Sequence, residues 1–236
     1  MKILILGAPR TGTTYLYQLI NMHTYAHSDP MFNCSVMGMG MPLSPSGEFF
    51  NPHHIQLQAT RMGVEFDQVL DIRKSIICNM DNVVIKHHTW FNQYKKIAEY
   101  CNHPNWYKIG IIKRNIARTA LSHYISMEYN QYRPDDYETR NIFIDTTRYN
   151  KVLQAEHQAQ QYIEQTNECN EKVYFEDLKF DWDSDYDALE ISKQVKNPPF
   201  QHFQGESKNP WSRQHILNIE EVEKVASDYL GYSVQL

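Results

Sequence analysis

Residues 2–20 read KILILGAPRTGTTYLYQLI, and the order of residue types in this stretch decides the fold class. Ile3, Leu4, Ile5 and Leu6 make a short apolar run, as expected of a strand buried on both faces of a parallel sheet. Gly7 and Pro9 end it. Leu16, Leu19 and Ile20 then recur at helical spacing, so the backbone N–H groups of residues 10–14 should converge at a helix N-terminus, where anions bind. Gly7, Gly12 and Thr14 fit the phosphate-loop spacing G-x-x-x-x-G-K-[ST], except that Thr13 stands where the lysine belongs. Triphosphatases of this type use that lysine on the β- and γ-phosphates, so its loss argues against ATP or GTP hydrolysis. Two hydroxyls, Thr13 and Thr14, and the charge of Arg10 remain to hold phosphate oxygens without a metal.

Outward from this stretch, 236 residues give room for one large α/β domain with its own core, and we expect a single domain over 1–236. A net charge of −5 does not suit a general nucleic-acid binder, which shows a basic excess. Apolar runs fall far short of the roughly 20 residues needed to span a bilayer. No signal-peptide pattern precedes the first strand, and Cys34, Cys78, Cys101 and Cys169 form no C-x-x-C pair. These features lead us to expect reduced thiols and a cytoplasmic location.

Residues 23–52, broken by Gly38, Gly40, Pro42, Pro45, Gly47 and Pro52, read as a lid or binding loop with a Met- and Phe-rich wall. Apolar periodicity predicts a helix over 53–80, with Gly63 as a candidate break. Asn82–His88 reads as a strand whose end carries Lys86, His87 and His88, where open α/β sheets bind ligands. A metal site built on His53, His54, His87 and His88 is disfavoured, because adjacent histidine pairs do not match zinc-ligand spacings. Further on, a helix is expected over 89–100, a strand over 107–112, a Tyr-rich insertion over 125–148, and an outer polar helix over 151–169. A strand over 172–175, a short helix over 183–195 and a capped closing helix over 219–230 complete the chain.

The run Pro9-Arg10-Thr11-Gly12-Thr13-Thr14-Tyr15-Leu16 resembles the 5′-phosphosulfate loop of sulfotransferases that use 3′-phosphoadenosine 5′-phosphosulfate (PAPS), whose usual form is P-[KR]-[ST]-G-T-T-[WY]-L. Three later segments resemble that family in order. Val84-Ile85-Lys86-His87-His88 is similar to its Lys-x-His strand, implying that Lys86 contacts the sulfonate and His88 is the base. Arg114 and Ser122, eight residues apart, match its 3′-phosphate ligands, although Ile116 replaces a common proline. Phe175-Glu176-Asp177-Leu178 resembles the adenine-side Tyr-Glu-Asp segment, with Phe175 in place of the tyrosine. Gly47-Glu48-Phe49 resembles a segment in which the glutamate is the base, and Lys208 and Arg213 fall where the family has a basic loop over the 3′-phosphate.

The resemblance implies an α/β three-layer domain of phosphate-loop type around a central parallel sheet. It also implies transfer of a sulfonate from PAPS to a carbohydrate or small alcohol or phenol, releasing adenosine 3′,5′-bisphosphate without a metal. His88, Lys86 and Glu48 would be catalytic. Arg10, Thr11, Gly12, Thr13, Thr14, Tyr15, Arg114, Ser122, Phe175 and Lys208 would hold the cofactor. The base stays open between His88 and Glu48. A Mg²⁺-dependent nucleotide kinase or triphosphatase is the alternative from the same scaffold, and a non-catalytic nucleotide-binding module is the second.

Overall fold

The computed structural model describes residues 1–24, 48–80, 82–129, 141–195 and 213–236. Lys208 and the centres of the two expected insertions lie outside these residues. The apolar run that opens the chain forms β1 (Lys2–Gly7), followed across the loop by α1 (Thr13–Thr24). Then come α2 (Pro52–Met62), α3 (Phe66–Cys78), β2 (Val83–His88), α4 (Lys95–Cys101) and β3 (Tyr107–Ile112). The order continues with α5 (Ile116–Glu128), α6 (Thr146–Gln165), β4 (Glu171–Tyr174), α7 (Trp182–Asp187) and α8 (Ile219–Leu230). All strand pairs are parallel and the order is β2-β1-β3-β4. This is the α/β class read from the sequence.

Alternation along β1 divides the core. Ile3 and Ile5 pack with Leu16, Leu19 and Ile20 of α1 on one face, while Leu4 and Leu6 pack with Ile55, Val69, Leu70 and Ile77 of α2 and α3 on the other. Helices thus cover both faces, giving three layers. A further cluster joins α5, α6 and α8 through Leu121, Tyr124, Leu153 and Val222. Gly110 of β3 is required by close packing: a Cβ there would lie 2.6 Å from Ile163 of α6.

Several boundaries differ from expectation. The helix expected over 53–80 is two, because Gly63 adopts φ 65° and its N–H closes α2 on Ala59 and Thr60. Over 89–100, a 3₁₀ turn at Thr89–Gln93 precedes α4. The expected insertion at 125–148 is helical at both ends, since α5 runs to Glu128 and α6 starts at Thr146, with Asp145 accepting from the N–H groups of Thr147 and Arg148. α6 lies against the outside of the sheet as expected, but it starts at Thr146, ends at Gln165 and buries Glu156 and Gln160 along with its apolar residues. Over 183–195, α7 is followed by a 3₁₀ turn at Glu190–Lys193.

Candidate active site

In a sheet of order β2-β1-β3-β4, the chain steps from β1 to β2 on one side and then back past β1 to β3 on the other, and the crevice beyond the carboxyl ends of β1 and β3 is the place for a ligand. The loop after β1 occupies that crevice. Leu16 N–H donates to Gly12 O at 3.1 Å, making Gly12 the last residue before the helix, so the N–H groups of Thr13, Thr14 and Tyr15 have no intrahelical acceptor. Gly12 has φ 91°, and a Cβ there would lie 2.2 Å from the Phe175 ring. Arg10 also takes a left-handed conformation, φ 63°, a local cost of about 1–2 kcal/mol for a residue with a Cβ. That conformation sends its guanidinium across to α5, where Nε donates to Ser122 Oγ at 3.2 Å.

The loop residues divide by task. Thr11 is buried and donates Oγ1–H to Ala8 O at 2.7 Å, bracing the loop from inside. Thr13 is buried, with its methyl toward Gly7. Thr14 is exposed, and its Oγ1 accepts from Lys86 Nζ at 2.7 Å. Tyr15 turns its hydroxyl to Asp185 of α7 at 2.6 Å, and its ring packs on Phe180 and Trp182. Burial and the Asp185 carboxylate push the Tyr15 phenol upward, so it stays protonated as a donor.

Lys86 and His88 leave β2 on the same face, two residues apart, with Lys86 paired to Ile5 and His88 to Gly7 in the parallel register. His87 is buried on the other face. Glu48 meets both residues from the segment preceding α2: its Oε1 lies 3.1 Å from Lys86 Nζ and 3.1 Å from His88 Nε2. Its Oε2 accepts from Asn51 Nδ2 at 2.7 Å, while Asn51 Oδ1 accepts from the N–H of His53 as the cap of α2. The three residues expected to be catalytic, spread over 40 positions of sequence, therefore form one cluster against the loop.

Two of these placements went unsignalled by the sequence. Arg73 of α3 is buried, donates to Phe49 O and to Gln58 Oε1, and lies over the Phe49 ring at 5.4 Å, fixing the backbone next to Glu48. Lys113, the first residue after β3, sets its Nζ 4.8 Å from the centroid of Phe175. An isolated arginine in a helical pattern and a lysine at a strand end carry no mark of either role.

The electrostatics follow from burial. Desolvation alone would raise the Glu48 carboxyl, but the His88 hydrogen bond, the Lys86 charge and the Asn51 amide overturn it and hold Glu48 well below the usual carboxylate range. Burial lowers His88, favouring a neutral ring, and also lowers Lys86 against the opposing pull of Glu48. With the neutral ring's proton on Nε2, His88 donates to Glu48 Oε1. Its Nδ1 then faces the Gly7 carbonyl at 3.4 Å.

The remaining expected ligands are more dispersed. Arg114 lies on the surface in a two-pronged pair with Asp177, at 2.7 and 2.8 Å, and stacks over Tyr174. Phe175 has left β4 to begin a 3₁₀ turn, and its ring covers Gly12. Arg213 pairs with Glu223 of α8. Among the described residues, no three His, Cys, Asp or Glu side chains gather as a metal site would require, and no helix is long and apolar enough to cross a membrane.

No protein-family model and no curated protein matches the chain. Among solved structures, it is similar to the sulfotransferase domain from the curacin biosynthetic pathway, with 12% identity and a TM-score of 0.46 over 99% of this chain and 98% of that one. A likeness this loose carries no argument about chemistry.

Proposed function

We propose that the chain is a sulfotransferase that takes the sulfonate of PAPS to an acceptor hydroxyl. The observation that carries this reading is the contact of Lys86 with Thr14, in a phosphate loop that has no lysine of its own, within a cluster that also holds Glu48 and His88. A cation supplied from β2 neutralises a group bound at the loop without the Lys–Mg²⁺ apparatus of triphosphatases. The residues fit such a ligand: the loop turns at Gly12, presents three N–H groups, and has Arg10 and Lys86 at its sides.

When bound, PAPS would supply a sulfonate on a good leaving group, the phosphate of adenosine 3′,5′-bisphosphate. Thr14 and the N–H groups of residues 13–15 would hold the phosphate, and Lys86 would turn from Glu48 to the sulfonate oxygens, where charge accumulates. Freed of Lys86, Glu48 would be more basic and would take the proton of the acceptor hydroxyl, while the sulfur–oxygen exchange itself, with the phosphate as leaving group, would be the chemistry that bound PAPS supplies. His88 holds Glu48 through Nε2–H. We assign the base to Glu48 because His88, with that proton in place, directs its other nitrogen at the Gly7 carbonyl.

The acceptor would be a carbohydrate or a small alcohol or phenol entering beside Glu48. The test is transfer of labelled sulfonate from PAPS to a panel of such hydroxyl compounds. Transfer that is lost in Glu48→Gln supports the mechanism. Turnover of ATP with Mg²⁺, and none of PAPS with any acceptor, refutes it.

A further inference from the structure

Asn51 joins the start of α2 to the carboxylate of Glu48. Its Oδ1 accepts from the N–H of His53 at 3.0 Å as the cap of α2, and its carbonyl takes the N–H of Ile55 at 3.1 Å as the helix begins. The other end of the amide, Nδ2, donates to Glu48 Oε2 at 2.7 Å, and the Asn51 N–H closes the turn on Glu48 O at 3.4 Å. The helix thus decides which end of the amide faces Glu48. A flipped amide would set Oδ1 against Oε2 and Nδ2 against the N–H of His53, two unfavourable pairs in place of two hydrogen bonds.

The consequence falls on how the carboxylate is shared. Oε1 lies 3.1 Å from both Lys86 Nζ and His88 Nε2, which fills its two lone-pair positions. Among the described residues, Oε2 accepts from Asn51 alone, so one of its positions is open, on a side chain that keeps 18% of its surface exposed. Donors on Oε1 alone would leave the carboxylate to rotate, whereas a donor on each oxygen fixes its plane.

We propose that Asn51 is a positioning residue for the transfer reaction, its amide holding Glu48 Oε2 so that the carboxylate stays aimed between Lys86 and His88 with one acceptor position turned to the incoming hydroxyl. This rests on the assignment of Glu48 as base above. Lys86 and His88 from β2, His54 from the first turn of α2 and Arg73 from α3 are the charged and titratable groups around this segment, and Asn51 adds a neutral donor that no change of pH removes. Its hydrogen bond favours the ionised carboxylate, so losing it raises the Glu48 carboxyl and a carboxylate in its place raises it further.

The test separates capping from positioning. Ser and Asp cap helices about as well as Asn, and Ala does not. Asn51→Ser therefore keeps the cap and loses the donor, Asn51→Asp keeps the cap and sets a second carboxylate against Oε2, and Asn51→Ala loses both cap and donor. Two readouts are compared: transfer of labelled sulfonate from PAPS to the hydroxyl panel across pH, and carbon-13 NMR titration of the Glu48 carboxyl in the protein alone, assigned with Glu48→Gln. We expect kcat at pH 7 to fall about tenfold in Asn51→Ser and at least about a hundredfold in Asn51→Asp. The acid limb of the rate profile and the Glu48 titration should both move to higher pH in the same order, while Asn51→Ser melts above Asn51→Ala. Transfer that simply follows melting temperature across the three variants, or a Glu48 titration unmoved in Asn51→Ser, overturns the positioning role and leaves the sulfotransferase reading standing. An unmodified protein that transfers to no acceptor overturns that reading and the positioning role with it.

Discussion

Replacing Glu48 by Gln and Lys86 by Met, singly and together, probes the centre of the site. Lys86 is 4% exposed and its Nζ lies 3.1 Å from Glu48 Oε1. At an effective dielectric constant near 20, unit charges at that distance attract by about 5 kcal/mol. Desolvation of both groups offsets much of this, and the amide introduced by Glu48→Gln would still accept hydrogen bonds from Lys86 and His88, so the net coupling should be about 1–3 kcal/mol. Glu48→Gln alone leaves a buried ammonium facing a neutral amide. We expect a loss of about 2 kcal/mol, a fall of roughly 4–8 °C in Tm for a chain of this size. The double variant should lose less than the sum of the singles.

The same pair sets a pH dependence. Because the folded Glu48 carboxyl is held below its unfolded range, near 4.5, its contribution is complete above that range and is lost as pH falls through the folded value. The stability gap between the unmodified protein and Glu48→Gln in urea titrations should therefore be full at pH 7 and close progressively below about pH 4.5. A coupling energy under about 0.5 kcal/mol at pH 7, or a gap that does not change between pH 6 and pH 3, would refute the ion pair as described.

Arg10→Gly removes the left-handed penalty at φ 63° and should raise stability by about 1 kcal/mol while weakening adenosine 3′,5′-bisphosphate binding at least about tenfold, read by thermal melts and calorimetry. Gly12→Ala places a Cβ against the Phe175 ring at a φ of 91°, so it should destabilise by roughly 2 kcal/mol or more, and Gly12→Ala/Phe175→Ala should recover only the steric part. Glu156 is fully buried, accepts from His123 at 2.6 Å and is pushed upward by burial. Because its folded carboxyl is raised above the unfolded value near 4.5, its contribution to stability is lost as pH rises from there, and Glu156→Gln should gain on the unmodified protein as pH increases above about 4.5 in urea denaturation.

The parts of the fold that local chemistry dictates were legible in the sequence. β1, the loop, α1, β3 and α8 followed from apolar runs, the glycine turn and caps, and α8 spans the expected 219–230. The misplacements have physical causes. Phe175 leaves its strand because its ring is needed on Gly12, a tertiary demand that no alternation in Lys172–Phe175 reveals. Glu156 and Gln160 look like surface residues of a polar helix, yet His123 and the N–H of Lys113 draw them inward. Spacing alone placed Lys86 and His88 at a strand end. Their meeting with Glu48 depends on Arg73 and Asn51 holding residues 48–51 in place, which is long-range packing. The family resemblance implied Arg114 and Tyr15 as ligands; in this structure their side chains engage Asp177 and Asp185.

The most direct measurement is calorimetric titration of the unmodified protein with adenosine 3′,5′-bisphosphate, ADP and ATP, each with and without Mg²⁺. A loop that lacks the phosphate-loop lysine but is served by Arg10 and Lys86 predicts tight, metal-independent binding of the bisphosphate over both other nucleotides. Preference for Mg²⁺–ATP, or no binding of the bisphosphate, would contradict the account.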